Sequence, residues 1–391
     1  MNEADKPARR KDLQGLLNLD RAPVLSYFQK QSQTGYAQLA AFMPQLIWRW
    51  LGEYIRFRIG PKHPFLSYGK DSADNGVYRL QPTDGPIRIG LAGDWGTGTD
   101  EAALVAEQIK TFDPHYSIHL GDVYYVGTTH EVEENFLGLE VKGSAYHPCA
   151  WPSGSQGTFA LNGNHEMLAR GFGYFDHMLP RLGLRDSSSG QTASYFCLEN
   201  EHWRIIALDT GYNSVGLPII EYFFPPDCAL RPEQLDWLRD IVRPDPGDPR
   251  GIIILSHHQY YSRYDDCFTK AAEQLAAFFH RPILWFWGHE HRLAIYEQGK
   301  IGGGLTAFGR CIGHGGMPVD LRPPTPKHDY AVEFMDDRHY PNDEGITVGF
   351  NGLATMTLAR ERLEVSYLDL RGTKVFAEVW SVSNGVLARV S

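Results

Sequence analysis

Cysteine is scarce in this chain. The five residues, Cys149, Cys197, Cys228, Cys267 and Cys311, include no CxxC pair. That disfavours a cysteine-based zinc site, and an odd, low count points to buried thiols, not a disulfide framework. Positive charge is also in deficit: 37 Lys and Arg stand against 47 Asp and Glu, for a net charge of -10. A general nucleic-acid binder needs a basic footprint, so no nucleic-acid partner is expected. A small phosphorylated substrate is still allowed, because bound metals supply local positive charge. Long apolar runs are missing as well. The nearest attempt at a membrane span, LAAFMPQLIWRWLGEYIRF, is interrupted by Arg49, Glu53 and Arg56, short of the roughly 18 apolar residues a span requires. The opening MNEADKPARRKDLQ has early charges but no apolar run behind them, so no secretory signal is visible and a cytoplasmic location is expected.

What is present fits a soluble globular enzyme of one large domain or two ordinary ones: 391 residues, 42% of them hydrophobic and 21% charged. Residues 1–85 read as an N-terminal helical extension and connector. Tyr36 to Phe57 carries apolar residues at helical spacing with a basic polar face. Packing on the catalytic domain or a second subunit is the favoured role, and membrane contact by residues 36–58 the other. PKHPFLSYGKDSADNG, rich in breakers, reads as the connector. From Pro86 to the C-terminus the pattern is α/β. IRIGLAGDWG, YSIHLGDVYY, GTFALNGNHE, GIIILSHHQ and ILWFWGHEH are apolar runs, as in strands buried on both faces, each ending in a polar cluster. Asp100 to Lys110 reads as a helix. ASYFCLE, HWRIIALDT, ITVGFNGLATMTLA, RLEVSYLDL and KVFAEVW read as further strands, partly antiparallel. Residues 310–345 have little periodicity and read as a long loop, a candidate lid.

The five clusters Gly93-Asp94-Trp95-Gly96, Gly121-Asp122-Val123-Tyr124-Tyr125, Gly163-Asn164-His165-Glu166, Ser256-His257-His258-Gln259 and Gly288-His289-Glu290-His291 carry the chemistry. Each alone is weak, since an Asp after a strand is usually a turn or a cap. Together they place Asp, Asp, Asn and several His at strand C-terminal ends, expected at one edge of one sheet, where open α/β sheets bind ligands. Mixed oxygen and imidazole donors suit Zn, Mn or Fe. So many donors suit two metals sharing a carboxylate, the arrangement that clamps both oxygens of an in-line displacement at phosphorus.

The series GD, GD, GNHE, H, GHEH resembles the calcineurin-like metallophosphoesterase superfamily over about Pro86 to the C-terminus. The resemblance implies two mixed β-sheets packed as a sandwich flanked by helices. One departure narrows it. Most of the superfamily has Asp-x-His in the first motif; here it is Asp94-Trp95-Gly96. Purple acid phosphatases share GDWG and replace the missing histidine with a tyrosine three residues after the second aspartate, which is Tyr125 here. The sequence thus resembles the purple acid phosphatase branch, or a bacterial-type relative of it.

The resemblance implies two metal ions per chain. Asp94, Asp122, Tyr125 and His291 would hold the first, and Asp122, Asn164, His257 and His289 the second, with Asp122 bridging. A phenol of reference pKa near 10 needs a strong Lewis acid to ionise at neutral pH, hence Fe in the Tyr125 site with Fe, Zn or Mn in the other. His165 corresponds to the catalytic histidine, and His258 either touches substrate or is structural. The expected activity is hydrolysis of phosphate monoesters by a metal-bound hydroxide. Diester hydrolysis is the alternative, followed by a membrane-associated lipid phosphoesterase and a non-catalytic scaffold. The stretch YYSRYDDCF lacks the histidine pair of plant-type enzymes, so leaving-group recognition is expected to differ, with Arg263, Tyr264 and His314 as candidates.

Overall fold

The computed structural model describes residues 56–57, 60–69, 74–81, 83–140, 148–186, 190–216, 226–300, 302–319, 325–341 and 347–390. Apart from Arg56 and Phe57, the expected amphipathic helix and its membrane contact lie outside these residues. Among the described residues no helix is long and apolar enough to cross a membrane.

The five strands expected before the polar clusters are all present: Ile87–Ala92, Tyr116–His119, Gly157–Ala160, Gly251–Ser256 and Ile283–Trp287. They divide between two mixed eight-stranded sheets. In one, Ile87–Ala92, Tyr116–His119 and Gly157–Ala160 run parallel, and Gly352–Ala359 pairs antiparallel with Ile87–Ala92. In the other, Trp203–Leu208, Gly251–Ser256, Ile283–Trp287 and Thr306–Ile312 run parallel. The continuous apolar runs follow from burial on both faces. Ile205, Ala207, Ile253 and Leu255 meet Ile89, Leu91 and Met356 between the sheets. The alternate residues Ile206, Leu208, Ile252 and Ile254 face Trp237, Leu238 and Leu275 on the outer side. This is the two-residue period of a strand applied twice.

The helix Asp100–Phe112 covers the outer face of the first sheet. Thr99 caps it by accepting from the Ala102 N–H, Asp100 and Glu101 sit in its first turn, and Ala102, Val105, Ala106 and Ile109 are buried. That spacing is one apolar helical stripe, and acids near a helix N-terminus favour the helix dipole.

Two expectations change. Residues 310–345 are not one long loop: Thr306–Ile312 extends into them, Val332–Met335 pairs with Leu293–Lys300, and His339–Pro341 pairs with Thr347–Gly349. The two later strands have three or four residues each, too few for their alternation to stand out among Pro, Gly and His. The connector is not merely a spacer either. His63 stacks on Phe175 at 4.7 Å, its N–H donates to the Arg170 carbonyl, and its own carbonyl accepts from Tyr212 Oη.

One ionic contact crosses the sandwich interior. Arg310, on Thr306–Ile312 of the second sheet, donates from Nε and Nη2 to the two oxygens of Glu378 in the first sheet (2.7 and 2.6 Å). Tyr367 Oη also donates to Glu378, and both charged residues are buried. Removing one partner of a buried pair strands the other charge. Glu378→Ala should therefore lower unfolding stability in urea by about 3–5 kcal/mol, whereas the paired change Arg310→Met with Glu378→Leu should cost far less.

Candidate metal centre

The polar clusters meet where the C-terminal ends of both sheets come together, not at the edge of one sheet as expected. Asp94, Asp122 and Asn164 follow strands of the first sheet; His257, His289 and His291 follow strands of the second. Packing the two parallel blocks face to face supplies one donor set from two sheets. Three of these residues, Asp94 (φ 58°), Asp122 (φ 72°) and His289 (φ 64°), adopt left-handed backbone. Non-glycine residues there are uncommon and cluster at functional sites. The neighbouring glycines permit close approach. A Cβ on Gly163 would stand 2.0 Å from Asp122 Oδ1, and one on Gly288 would stand 2.5 Å from Asp94 Oδ2.

The donor atoms form two groups that share one oxygen. In the first, Tyr124 Oη donates to Asp94 Oδ1 (2.7 Å) and to Asp122 Oδ2 (3.2 Å), and lies 3.1 Å from His291 Nε2. His291 Nε2 is 3.6 Å from Asp94 Oδ1. In the second, His257 Nε2 lies 3.3 Å from Asp122 Oδ2 and 3.1 Å from Asn164 Oδ1, which is 2.8 Å from His289 Nδ1. Two ligands each about 2.1 Å from one ion stand about 3.0–3.4 Å apart in tetrahedral or octahedral geometry, the spacing of the Tyr124–Asp122, Tyr124–His291, His257–Asp122 and His257–Asn164 contacts, two in each group. Atoms of Asp94, Asp122 and His257 lie within 4.8 Å of one another, as do atoms of His257, His258 and His289.

Electrostatics supports the same reading. Asp94 and Asp122 are buried, and among the described residues their ion-pair partners are histidines, with no lysine or arginine. Buried charges are paired or coordinate metals. Burial alone would raise the Asp122 carboxyl, but facing His257 and His165 hold it well below its ordinary value. Burial lowers His257, yet Asp122 and Asp94 outweigh it and lift the imidazole to about 9. The residues present therefore fit two cations bridged by Asp122.

The surrounding contacts fix orientation. His257 Nδ1 donates to the Leu120 carbonyl (2.9 Å), turning Nε2 toward Asp122. His165 Nδ1 donates to the Tyr125 carbonyl (2.6 Å), and its Nε2 lies 3.8 Å from Asp122 Oδ2. Glu166 accepts from the N–H groups of Asp122, Val123 and Gly163, tying the second and third clusters together. His258 is buried with Nδ1 3.1 Å from Thr210 Oγ1, and its ring lies 4.5 Å from that of His289.

The structure brings together Asp94, Asp122, Asn164, His165, His257, His289 and His291, with His258 beside them. Tyr125 does not join them through its phenol. Its ring belongs to the same apolar cluster as Tyr124, Val126, Ala169 and Met317, and its main chain serves the site through the carbonyl bonded to His165. The phenol among the carboxylates is that of Tyr124, which spacing by resemblance passed over. Tyr124 and Tyr125 lie in a turn just after Asp122, which is itself in left-handed backbone, and the turn brings the Tyr124 phenol to Asp94 and Asp122. His314 is buried elsewhere, its carbonyl accepting from the Gly352 N–H and the Asn351 amide. Arg263 is held by the Tyr330 carbonyl, and Tyr264 lies under the Arg292 guanidinium.

A family model described as calcineurin-like phosphoesterase matches residues 87–293, and the chain belongs to that family. No curated protein matches it in sequence. Among solved structures it is similar to the purple acid phosphatase PPD1 from yellow lupin (Lupinus luteus) seeds, with 13% identity and a TM-score of 0.49 over 76% of this chain and 54% of that one. It is also similar to GAP50, the anchor in the inner membrane complex of Plasmodium, with 14% identity and a TM-score of 0.45 over 77% of this chain and 89% of that one. PhoD is similar at 12% identity and a TM-score of 0.46, over 79% and 72% of the two chains.

Beside the Asn164 loop, Asp209 is buried and accepts from Ser194 Oγ, the Tyr212 N–H and the Asn162 amide. Burial raises its carboxyl to about 6, against about 3.9 unfolded. The folded state thus holds this proton more tightly than the unfolded chain does. The contribution is present below pH ~4 and is lost as pH rises through about 6, a change of about 3 kcal/mol. Unfolding stability measured from pH 4 to 7 should show this fall in the native protein, and Asp209→Asn should flatten that component.

Proposed function

We propose that this chain is a two-metal phosphoesterase that hydrolyses phosphate monoesters, with iron beside Tyr124 and iron, zinc or manganese beside His257. The observation that carries the reading is the pair of donor groups sharing Asp122 Oδ2, with Asp94, Tyr124 and His291 on one side and Asn164, His257 and His289 on the other. Bound metals supply Lewis-acid polarisation of the phosphoryl oxygens and activation of water.

The chain's own residues supply position and protons. Asp122 fixes the spacing of the two groups, and Asn164 and His257 complete one of them. His165 keeps Nδ1 on the Tyr125 carbonyl, which leaves Nε2 to hold or deliver a proton at the oxygen of the departing alcohol. General acid catalysis of this kind contributes about 100- to 10,000-fold. The monoester assignment rests on GDWG together with Tyr125, three residues after the second aspartate, the pair of sequence features that resembles purple acid phosphatases; the phenol facing the aspartates is that of its neighbour Tyr124.

The test compares a chromogenic phosphate monoester with the matching diester on protein confirmed to hold two metals. Chelator-sensitive preference for the monoester is expected, and His165→Ala should lower kcat by about 100- to 10,000-fold while metal content is retained. Preference for the diester would replace the monoester assignment on the same site, and hydrolysis of neither would favour a non-catalytic scaffold.

The tyrosine assignment has its own readout. With ferric iron bound, a coordinated phenolate gives a visible charge-transfer band. Tyr124→Phe should bleach it and Tyr125→Phe should retain it. The opposite pattern would return the ligand role to Tyr125.

A further inference from the structure

The segment after His257 and His258 folds into a braced loop. Ser262 Oγ donates to Glu290 Oε2 (2.8 Å) and accepts from the N–H groups of Tyr264 and Asp265. Gln259 Nε2 donates to the Asp266 carbonyl, and the Phe268 N–H donates to the Gln259 carbonyl. This bracing fixes the place of Phe268. Its ring stands edge-on to two imidazoles of the metal centre, with centroids 5.3 Å from His258 and 5.9 Å from His289. Phe268 is half-buried, as are Asn164, His289 and His291, so the apolar ring borders the open side of the donor set.

Among the described residues, the cations along this edge are already engaged. Arg263 donates to the Tyr330 carbonyl and pairs with Asp329. Lys327 bridges Asp265 and Asp266, and Arg292 lies by Glu290 and over Tyr264. A leaving group carrying further phosphates would meet Asp265 and Asp266 and would have to displace existing pairs. An apolar one would meet Phe268.

From this we infer that Phe268 is a specificity-determining residue: it forms an apolar wall for the leaving group, so the site selects phosphate esters of apolar alkyl or aryl alcohols over those of polar or multiply charged ones. The inference rests on the phosphoester reading above and names the substrate class of that same site. Filling or emptying an apolar contact of this size changes discrimination by about 10- to 200-fold.

The test measures two ratios on metal-loaded protein. The first is calorimetric binding of benzylphosphonate against methylphosphonate, which needs no turnover. The second is kcat/KM for hexyl phosphate against glycerol phosphate, whose alcohol is the more acidic and the better leaving group, so that leaving-group acidity works against the expected preference. Both ratios should favour the apolar member by about tenfold or more, with the difference in KM. Phe268→Ala should collapse them toward one, and Phe268→Leu should keep most of the preference. Native ratios near one, or a Phe268→Ala protein that loses kcat on both esters while keeping its ratios, would overturn the inference and leave Phe268 as a prop for His258 and His289. A benzyl preference that Phe268→Ala abolishes, in a protein that turns over neither ester, would sustain the wall and overturn the hydrolase reading instead.

Discussion

The carboxylate of Asp122 is the contact on which the site depends. It is buried, and one oxygen accepts from the His165 N–H while the other faces Tyr124 Oη and His257 Nε2. Those neighbours come from three separate stretches of chain and from both sheets. Besides the His165 N–H, the groups facing this buried anion among the described residues are imidazoles and a phenol. The groups that hold Asp122 are therefore also groups that can ligate a cation, and the folded chain presents them already assembled.

Assembly has a conformational cost, and the structure shows what offsets it. Left-handed backbone at Asp94, Asp122 and His289 is tolerable only where surrounding contacts over-determine it. Glu166 supplies part of that by accepting three N–H groups from the second and third clusters. Glu131 does the same for the next turn, accepting from the N–H groups of Val126 and Thr128 as well as from Tyr125. The Gly315 N–H donates to the Gly93 carbonyl, and the Met317 N–H donates to the Asp94 carbonyl. The segment read from sequence as a loop thus braces the first aspartate from behind.

How much of this was legible depends on the length scale of the signal. The strands ending at Ala92, His119, Ala160, Ser256 and Trp287 were readable because burial on both faces writes a continuous apolar run. The candidate donors were legible only as a set, because Asp, Asn and His recurring at five strand ends exceed what turns and caps require. Assignment of those strands to two sheets was not readable, since a run such as GIIILS carries no mark of its neighbours. The Arg310–Glu378 pair was hidden for the same reason: 68 residues separate its partners. Thr210 and Phe268 touch the histidines only through the fold, and nothing in their local sequence marks them.

Tyr124 and Tyr125 show where motif spacing and backbone geometry part. Counting from Asp122 by resemblance selects Tyr125, and the turn at residues 124–126 presents Tyr124. In that turn the Tyr124 phenol lies 2.7 Å from Asp94 and the Tyr125 carbonyl 2.6 Å from His165 Nδ1. Both tyrosines therefore serve the centre, one through its side chain and the other through its main chain. A change at position 125 that alters the course of this backbone would disturb His165 without touching a donor atom of either group. Tyr124→Phe would remove a donor and keep the ring that packs on His165 at 4.3 Å. Loss of activity alone does not separate these two roles, because both lead to it; a readout of the metal environment does.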